Sequence, residues 1–514
     1  MTRLKKARTF LSNWFALPWY PIALGAFPVL ALLSANAGQV QAMAGSRILL
    51  LSLALAAILF SICRLVLRQP HRAALLTSLL LVLFFTYGHA HYVLSEKFPD
   101  MVNIDAWLAA TWAFLFILIL VWTTRPRFNF ISAAPGLNVI ALALLALSVW
   151  QINSSSTSGN PYTLEAENAP IQEDLLKPES APDVYYFVLD SYGREDGLLD
   201  AYGYDNSSFV NALEQRGFYV AQCSQSNYVR TEISLASSLN MMYLQDLDNA
   251  FQPDSIARRT LWNSLKHSAV RYNFESLGYS TINFASSFDW LELHDADVFL
   301  APEPFSSGLS EFEGLFLRTT LARYMQDWGW VDPDAVMGQK FRDLFNNIFD
   351  HMGEIARMPD PTFAYIHVIS PHPPFVFDAE GKPTYPPDFW NEDRKYPPAL
   401  YAAGYQNQLT HLNSKMLEAI DIILEESERP PIIILQGDHG PWLQPKNKRM
   451  WILNAYYLPG HNEELYPTIS PVNSFRLVFD AYFAGNYGLL DDVSYFSPVP
   501  NLYEFSEIPN DCNK

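Results

Sequence analysis

The first 151 residues of the chain are dominated by apolar segments, and the residues after them are much more polar. Five apolar segments lie at residues 15–35, 47–67, 73–93, 105–123 and 132–151. Each is close to the ~20 residues that an α-helix needs to cross the hydrocarbon of a bilayer. The pattern therefore predicts five transmembrane helices within residues 1–151.

Basic residues are distributed unevenly between the loops that join these segments. Four of them precede the first segment, two follow the second and two follow the fourth, whereas the opposite loops carry only Arg47 and Lys97. Because cytoplasmic loops carry the excess of Lys and Arg, the N-terminus is expected in the cytoplasm. An odd number of spans then places the chain from residue 152 onward outside the cytoplasm.

The rest of the chain divides into a linker and one large domain. Residues 152–182 are rich in Ser, Asn, Pro and Glu without sustained periodicity, which is typical of a tether. Residues 183–514 alternate strand and helix signals, which favours an α/β fold with a mainly parallel sheet between helices. Strands are predicted at 184–189, 280–285, 362–369, 432–436 and 454–458, and helices at 206–216, 231–243, 256–277, 335–357, 398–426 and 471–484.

Three of the predicted strands run directly into side chains that bind metals or carry protons. Asp190 follows the first strand, His372 follows the third, and Asp438 with His439 follows the fourth. Since ligands gather beyond the carboxyl ends of parallel strands, these tips are expected to meet in one crevice. Aspartates at strand ends often only cap a helix or form a turn, which would explain one aspartate but not the pair together with His439.

The predicted helix 231–243 begins at Thr231, where a polar segment gives way to an apolar one. Free amide N–H groups at a helix N-terminus favour an anion, so Thr231 is the candidate nucleophile. The alternative is that Thr231 only caps the helix, a role that Thr commonly fills.

Other polar residues near the predicted crevice have two interpretations each. His372 lies in a Pro-rich loop, so a structural role is the alternative to catalysis. His367 lies within a buried strand and is expected to be a hydrogen-bonded core histidine. Arg194 and Arg230 flank the crevice and are candidates for binding an anionic substrate, with a surface ion pair as the alternative.

Composition narrows the function classes. The net charge of −19 without a basic stripe argues against nucleic acid as a partner. Only three cysteines occur, and none has the spacing of a zinc or redox motif. Cys223 and Cys512 lie outside the predicted spans, where an oxidising compartment would permit them to pair.

Four short motifs carry a family resemblance. They are VLDSYG at 188–193, TEISLAS at 231–237, SPHPPF at 370–375 and GDHG at 437–440. Together they resemble the alkaline phosphatase superfamily, and within it the sulfatase-like membrane enzymes that include lipoteichoic acid synthases and phosphoethanolamine transferases. Those families have five membrane spans, a linker and an extracytoplasmic sulfatase-like domain, so the resemblance covers nearly the whole chain.

The resemblance implies a set of roles. Asp190, Thr231, Asp438 and His439 would hold one divalent metal ion, zinc or manganese, with Thr231 as the nucleophile. His372 would bind the substrate phosphate or protonate the leaving oxygen. True sulfatases have Cys or Ser followed by Pro and Arg at the nucleophile, and this chain has neither that residue nor that context. A plain hydroxyl favours phosphoryl over sulfate ester chemistry, and no clear second metal cluster is seen.

The resemblance also implies a setting and a substrate. It implies a multi-pass protein of the bacterial inner membrane, whose periplasmic domain is a phosphoryl-type transferase or phosphodiesterase acting on a membrane lipid or envelope glycan. One alternative is a sulfatase-like hydrolase without a lipid donor. Another is a catalytically silent protein that binds lipid and regulates envelope assembly.

Overall fold

The computed structural model of the chain consists of two compact units. One unit comprises Met1–Asn160 and Leu309–Pro333, and the other comprises Pro161–Gly308 and Asp334–Lys514. The structure describes residues 16–36, 45–98, 104–125, 131–156, 168–172, 174–255, 257–286, 288, 290–302, 311–327, 333–384, 397–499, 501–510 and 512.

The first unit contains seven helices within its described residues. They are α1 (Tyr20–Ala35), α2 (Ser46–Leu67), α3 (Pro70–Lys97), α4 (Ile104–Thr124), α5 (Ala134–Ser156), α12 (Glu311–Thr319) and α13 (Ala322–Asp327). Four of them, α2 to α5, are long and apolar enough to cross a membrane. Large apolar side chains such as Leu65, Trp107, Phe114 and Ile140 point outward from these helices, as expected where the solvent is lipid.

Five spans were expected, but only four helices in the described part of the chain are long and apolar enough to cross a membrane. Helix α1 has 16 residues and rises about 24 Å, which is short of the roughly 30 Å of hydrocarbon. It begins at Tyr20, shortly after Pro18, and ends at Ala35, and the side-chain amide of the following Asn36 donates to the carbonyl oxygen of Leu32 at 2.8 Å. The helix is therefore shorter than the apolar segment predicted at 15–35, because Pro18 and Asn36 lie at its two ends.

Helices α12 and α13 pack on α3, although their sequence lies within the predicted catalytic domain. The N–H group of Leu321 donates to the carbonyl oxygen of Phe84 at 2.7 Å, and the rings of Tyr87 and Tyr324 lie 5.9 Å apart. The backbone approaches α3 so closely that a Cβ atom on Gly88 would overlap the carbonyl oxygen of Arg318. Gly88 is therefore required for this packing.

The second unit is built on a seven-stranded sheet with the order β2-β7-β6-β1-β5-β3-β4. Its strands are β1 (Val184–Leu189), β2 (Tyr219–Val220), β3 (Ser280–Phe284), β4 (Val298–Leu300), β5 (Thr362–Val368), β6 (Ile432–Gly437) and β7 (Asn454–Tyr457). The five strands from β6 to β4 are parallel. Because β7 runs antiparallel to both β6 and β2, the sheet is mixed, but four of its six strand pairings are parallel, as expected of a mainly parallel sheet.

The helices of the second unit are α6 (Glu195–Tyr202), α7 (Ser207–Gln215), α8 (Thr231–Asn240), α9 (Leu244–Leu247), α10 (Arg258–Lys266), α11 (Ala269–Ser276), α14 (Pro333–Asp350), α15 (Met352–Ala356), α16 (Pro398–Glu426) and α17 (Pro471–Tyr482). The single helix predicted at 256–277 is wrong, since α10 ends before Ser268, which caps α11 by accepting from the Arg271 N–H at 3.4 Å. A short hairpin of β8 (Ser494–Phe496) and β9 (Ser506–Ile508) follows.

The register of the three central strands sets the position of the candidate site. Every residue of β1, β5 and β6 is buried, which accounts for their continuous apolar sequences. Leu189 lies opposite Val368 on one side and Gly437 on the other. The three strands therefore end at the same level, and the residues that follow them emerge together.

Cys223 and Cys512 form a disulfide with a Cα–Cα distance of 5.5 Å, and Cys63 is a buried free thiol. Both bonded cysteines belong to the second unit. Disulfides persist in oxidising compartments, so the bond agrees with a position of this unit outside the cytoplasm.

Gly88→Ala is expected to displace helices α12 and α13 from α3, because the added methyl group has no room. It should lower the free energy of unfolding of the first unit by about 1–3 kcal/mol and speed amide hydrogen exchange in residues 311–327. The control is Gly136→Ala in α5, where a Cβ atom meets nothing within 4 Å. Wild-type exchange in 311–327 of the Gly88 variant would contradict this packing.

The disulfide is tested by attaching a maleimide polymer to the denatured protein. One polymer chain, on Cys63, is expected before reduction and three after it. Because the bond closes a long loop, Cys223→Ser should lower the free energy of unfolding by roughly 2–5 kcal/mol. Attachment of three chains without reduction would show that the bond is not formed.

Candidate metal centre

The candidate site lies at the carboxyl ends of β5, β1 and β6, which are neighbours in the sheet. Asp190 follows β1, His372 lies in the loop after β5, and Asp438 with His439 follows β6. The backbone ties two of these tips together, since the N–H group of His372 donates to the carbonyl oxygen of Asp190 at 3.1 Å. The strand ends that were expected to meet therefore lie together.

Two buried carboxyl groups form the floor of the site. Asp190 is 3% exposed and Asp438 is fully buried. Oδ1 of Asp438 accepts from the N–H groups of Ser191 and His439, both at 2.9 Å. Oδ2 of Asp438 makes no hydrogen bond of normal geometry with a described residue, although Nε2 of His439 lies 3.5 Å away and the nearby Thr231 hydroxyl helps to lower the Asp438 pKa, so this buried oxygen is available to a ligand.

Ser191 holds the two carboxyl groups in place. Its backbone has φ +63°, in the left-handed region that a residue with a Cβ seldom adopts. This conformation directs its N–H group to Asp438, while its hydroxyl donates to Oδ1 of Asp190 at 3.2 Å. Strain of this kind persists where the surrounding structure enforces it, and it is common at functional sites.

The imidazole of His439 is oriented for coordination. Its Nδ1 lies 2.9 Å from the carbonyl oxygen of Gly440, so Nδ1 carries the proton and Nε2 keeps its lone pair. Nε2 lies 3.5 Å from Oδ2 of Asp438 and 3.9 Å from Oδ1 of Asp190. The ring thus presents its free nitrogen to both carboxyl groups.

Thr231 is the first residue of α8, and its hydroxyl faces the same nitrogen. Thr231 Oγ1 lies 3.3 Å from Nε2 of His439. The N-cap position belongs to Arg230, and no side chain caps the helix, so Thr231 does not have the capping role that was the alternative. Ser234 fixes the helix to the strand tip by donating to the carbonyl oxygen of Asp438 at 2.7 Å.

His367 also faces the site, which the sequence did not reveal. It is 3% exposed, and its Nε2 lies 3.7 Å from Oδ2 of Asp190. Neither ring nitrogen forms a hydrogen bond with any described residue, so the expectation of a hydrogen-bonded core histidine is wrong. Asp190, His367 and Asp438 each offer a ligand atom, and these atoms all lie within 4.8 Å of one another.

The burial of these groups sets their protonation. Desolvation lowers the pKa of His367 to about 4 and also holds the pKa of His439 below its ordinary value. Burial by itself would raise the pKa of Asp438, but attraction to His439 and His367 leaves that pKa below its ordinary value. At neutral pH the site therefore offers a carboxylate and two neutral imidazoles, the forms that bind a metal.

The remaining residues predicted from the sequence have different surroundings, and the Arg194 guanidinium is held by an ion pair and by the carbonyl oxygen of Ser224. His372 is partly exposed, and its carbonyl oxygen accepts from Gln408 at 2.9 Å. Arg194 is buried and donates to both carboxylate oxygens of Asp196, at 2.8 and 3.0 Å. Arg230 directly precedes Thr231 at the helix N-cap.

A further cation lies near the centre and was not singled out from the sequence. The guanidinium of Arg449 lies 3.9 Å above the Trp442 ring, and its charge contributes to the low pKa of His439. The carbonyl oxygen of Arg449 accepts from the N–H group of Gly440 at 2.7 Å. Arg449 lies in a single 3-10 turn, Lys448–Met450, which is too short to give a periodic signal in the sequence.

The donor set suits a divalent transition metal. Carboxylate oxygens, imidazole nitrogens and a hydroxyl are ligands of zinc and manganese in proteins. The unpartnered oxygen of Asp438 and the unpartnered ring of His367 are buried polar groups that a cation would satisfy. The residues present therefore fit a metal ion.

Comparison with known proteins gives structural similarity only. The sequence matches no protein-family model and no curated protein. The structure is similar to the zinc complex of the C-terminal periplasmic domain of EptC from Escherichia coli (12% identity, 66% of this chain and 98% of that chain, TM-score 0.43).

Two other solved structures are similar to this one. One is lipooligosaccharide phosphoethanolamine transferase A from Neisseria meningitidis, an integral membrane protein (12% identity, 87% of this chain and 88% of that chain, TM-score 0.36). The other is the lipoteichoic acid synthase LtaP from Listeria monocytogenes (12% identity, 63% of this chain and 81% of that chain, TM-score 0.36). These are the classes of protein that the sequence motifs resemble.

Asp438→Asn is expected to abolish binding of Zn²⁺ and Mn²⁺ without lowering the melting temperature of the metal-free protein. Asn keeps the oxygen that accepts from Ser191 and His439, and it removes a buried charge. In the wild type, metal at about 100 times its Kd should add about 2.7 kcal/mol to the free energy of unfolding.

Thermal unfolding with a chelator and with added metal measures both effects. The control is Asp421→Asn, which removes an exposed partner of Arg216 and should leave the metal-dependent increase unchanged. An Asp438→Asn protein that metal stabilises as much as the wild type would contradict the assignment.

Proposed function

We propose that the second unit is a metal-dependent phosphoryl-type transferase or phosphodiesterase with Thr231 as its nucleophile, acting on a membrane lipid or envelope glycan. The observation that supports it most is the contact of Thr231 Oγ1 with Nε2 of His439 at 3.3 Å. That same nitrogen faces Asp190 and Asp438, so the hydroxyl lies where the candidate metal ligands meet.

The proposed ligands of one zinc or manganese ion are Asp190, Asp438, His439 and the Thr231 oxygen. When bound, such an ion lowers the pKa of a ligated hydroxyl and offsets charge on phosphoryl oxygens. Thr231 lies at the N-terminal end of α8, where the helix dipole favours negative charge on the Thr231 oxygen.

The reaction proceeds in two displacements at phosphorus. The Thr231 hydroxyl gives its proton to solvent, its oxygen forms a bond to phosphorus while the bond from phosphorus to the leaving oxygen breaks, and protonated His372 donates a proton to that leaving oxygen. Water or an acceptor hydroxyl then attacks the phosphothreonine and gives its proton to His372, while the bond from phosphorus to the Thr231 oxygen breaks and that oxygen takes up a proton from solvent. The charge of Arg449 close to His439 supports binding of the phosphoryl group.

His372 is the proposed donor of the proton to the leaving oxygen. Its Nδ1 contacts the carbonyl oxygen of Pro373, so Nδ1 carries the proton of the neutral ring and Nε2 is the nitrogen that gains and loses one. Its backbone is held by Asp190 and Gln408, and its side chain is partly exposed to an incoming substrate. These contacts support a role at the rim of the site.

The membrane unit supports a lipid or envelope substrate. Four helices have the length and composition of membrane spans, and the second unit carries a disulfide. We therefore propose an inner-membrane protein whose N-terminus is cytoplasmic and whose catalytic unit is periplasmic. The four long helices alone would leave both ends on the same side of the membrane. This orientation, indicated by the excess of basic residues in alternate loops and by the disulfide, therefore requires the shorter apolar helix α1 to cross as well, which a locally thinner bilayer permits.

Thr231→Ala should reduce turnover of a phosphodiester reporter by at least about 10³-fold, because the nucleophile is lost. Thr231→Ser should keep measurable activity, since it retains a hydroxyl. The control is Thr410→Ala, which removes an exposed hydroxyl that contacts Tyr204. Turnover and mass spectrometry of Thr231 for a phospho-adduct are the measurements.

The substrate is tested with full-length protein in vesicles that contain a phospholipid labelled in its head group. Transfer of label to Thr231 and then to a glycan acceptor is expected of a transferase, and release of labelled head group to water is expected of a hydrolase. Undiminished turnover by Thr231→Ala in both assays would refute the proposed mechanism.

A further inference from the structure

Asp190 lies between two histidines that come from different strands. Its Oδ1 is 3.9 Å from Nε2 of His439, which follows β6, and its Oδ2 is 3.7 Å from Nε2 of His367 in β5. Because β6 and β5 flank β1 in the sheet, the two rings approach the carboxyl group from opposite neighbours. The family motifs include His439 but not His367.

The environment of His367 does not explain it as a core residue. The side chain is 2% exposed, and both ring nitrogens lack a hydrogen bond to any described residue. Burying a polar group without a partner is unfavourable, because the group loses its hydrogen bonds to water. An apolar side chain could occupy this position of the strand without leaving a polar group unpaired. The adjacent residues Ile366 and Val368 are apolar and buried.

We propose that His367 is a further ligand of the metal ion, through Nε2, and this proposal rests on the metal centre of the proposed function. Two ligands of one zinc ion are at most about 4.2 Å apart, given bonds of about 2.1 Å. The 3.7 Å between His367 and Asp190 is within that limit. The ligand atoms of Asp190, His367 and Asp438 lie within 4.8 Å of one another, so a small movement of these side chains brings all three within bonding distance of one ion.

A second imidazole changes which metal the site prefers. With His367 the donors are two carboxylates, two imidazoles and the Thr231 hydroxyl. Imidazole suits zinc better than the harder manganese ion, which prefers oxygen ligands. His367 therefore makes the site selective for zinc, and its loss should weaken zinc binding more than manganese binding.

The test uses the full-length protein in detergent with Zn²⁺ and Mn²⁺ as the only probes. His367→Phe fills the space of the ring without a ligand atom. It should raise the Kd for Zn²⁺ at least tenfold, raise the Kd for Mn²⁺ less, and leave the metal-free melting temperature the same or higher. His367→Gln is the second variant if the phenylalanine protein does not accumulate, and the same ratio of Kd values is expected.

His411→Phe is the matched control. That histidine, on α16, is also largely buried, but its ring packs against the rings of Phe345 and Phe377 at 5.4 and 4.7 Å. It should leave both Kd values unchanged. A wild-type Kd for Zn²⁺ in His367→Phe, or an equal loss of melting temperature with and without metal, would overturn the proposal.

The outcome separates this inference from the proposed function. If the wild type and Asp438→Asn bind Zn²⁺ equally weakly, the metal centre itself is refuted. If the wild type binds Zn²⁺, Asp438→Asn does not, and His367→Phe binds as the wild type does, only the role of His367 is refuted.

Discussion

The structure depends on two carboxyl groups that lie close together in an apolar interior. Asp190 and Asp438 follow adjacent parallel strands whose every residue is buried. Two such charges repel each other and lose hydration, so the arrangement is unfavourable without a positive partner. Much of the local structure offsets this cost, including the strained backbone of Ser191 and the N–H groups directed at Asp438. A metal ion bound beside the two carboxyl groups would balance their negative charge, and the Thr231 hydroxyl would lie next to that ion.

The central strands and the residues at their tips were predictable because both signals are local. A buried parallel strand reads as a continuous apolar run, and an acid or imidazole directly after it stands out. Asp190, Asp438 and His439 were found in this way. Thr231 was found from the change of pattern at a helix start. In each case the information lies within about ten residues of the side chain concerned.

The features that were missed depend on contacts between distant parts of the chain. His367 looks like an ordinary strand residue until the register of β5 with β1 places it beside Asp190. The packing of residues 311–327 on α3 is possible because Gly88 lacks a side chain, and the hydrophobic periodicity of the sequence does not predict this contact. The break between α10 and α11 depends on a single capping hydroxyl, that of Ser268. The length of α1 is set by the residues at its two ends and not by its apolar centre.

The most direct test of the metal centre is anomalous X-ray scattering from a crystal of the protein grown with zinc, measured on both sides of the zinc absorption edge. One strong peak is predicted within bonding distance of Asp190, Asp438 and Nε2 of His439, with the Thr231 oxygen beside it. A crystal in which these side chains have the same positions, but whose zinc lies elsewhere or is absent, would contradict the claim that this carboxylate pair is built to hold a cation.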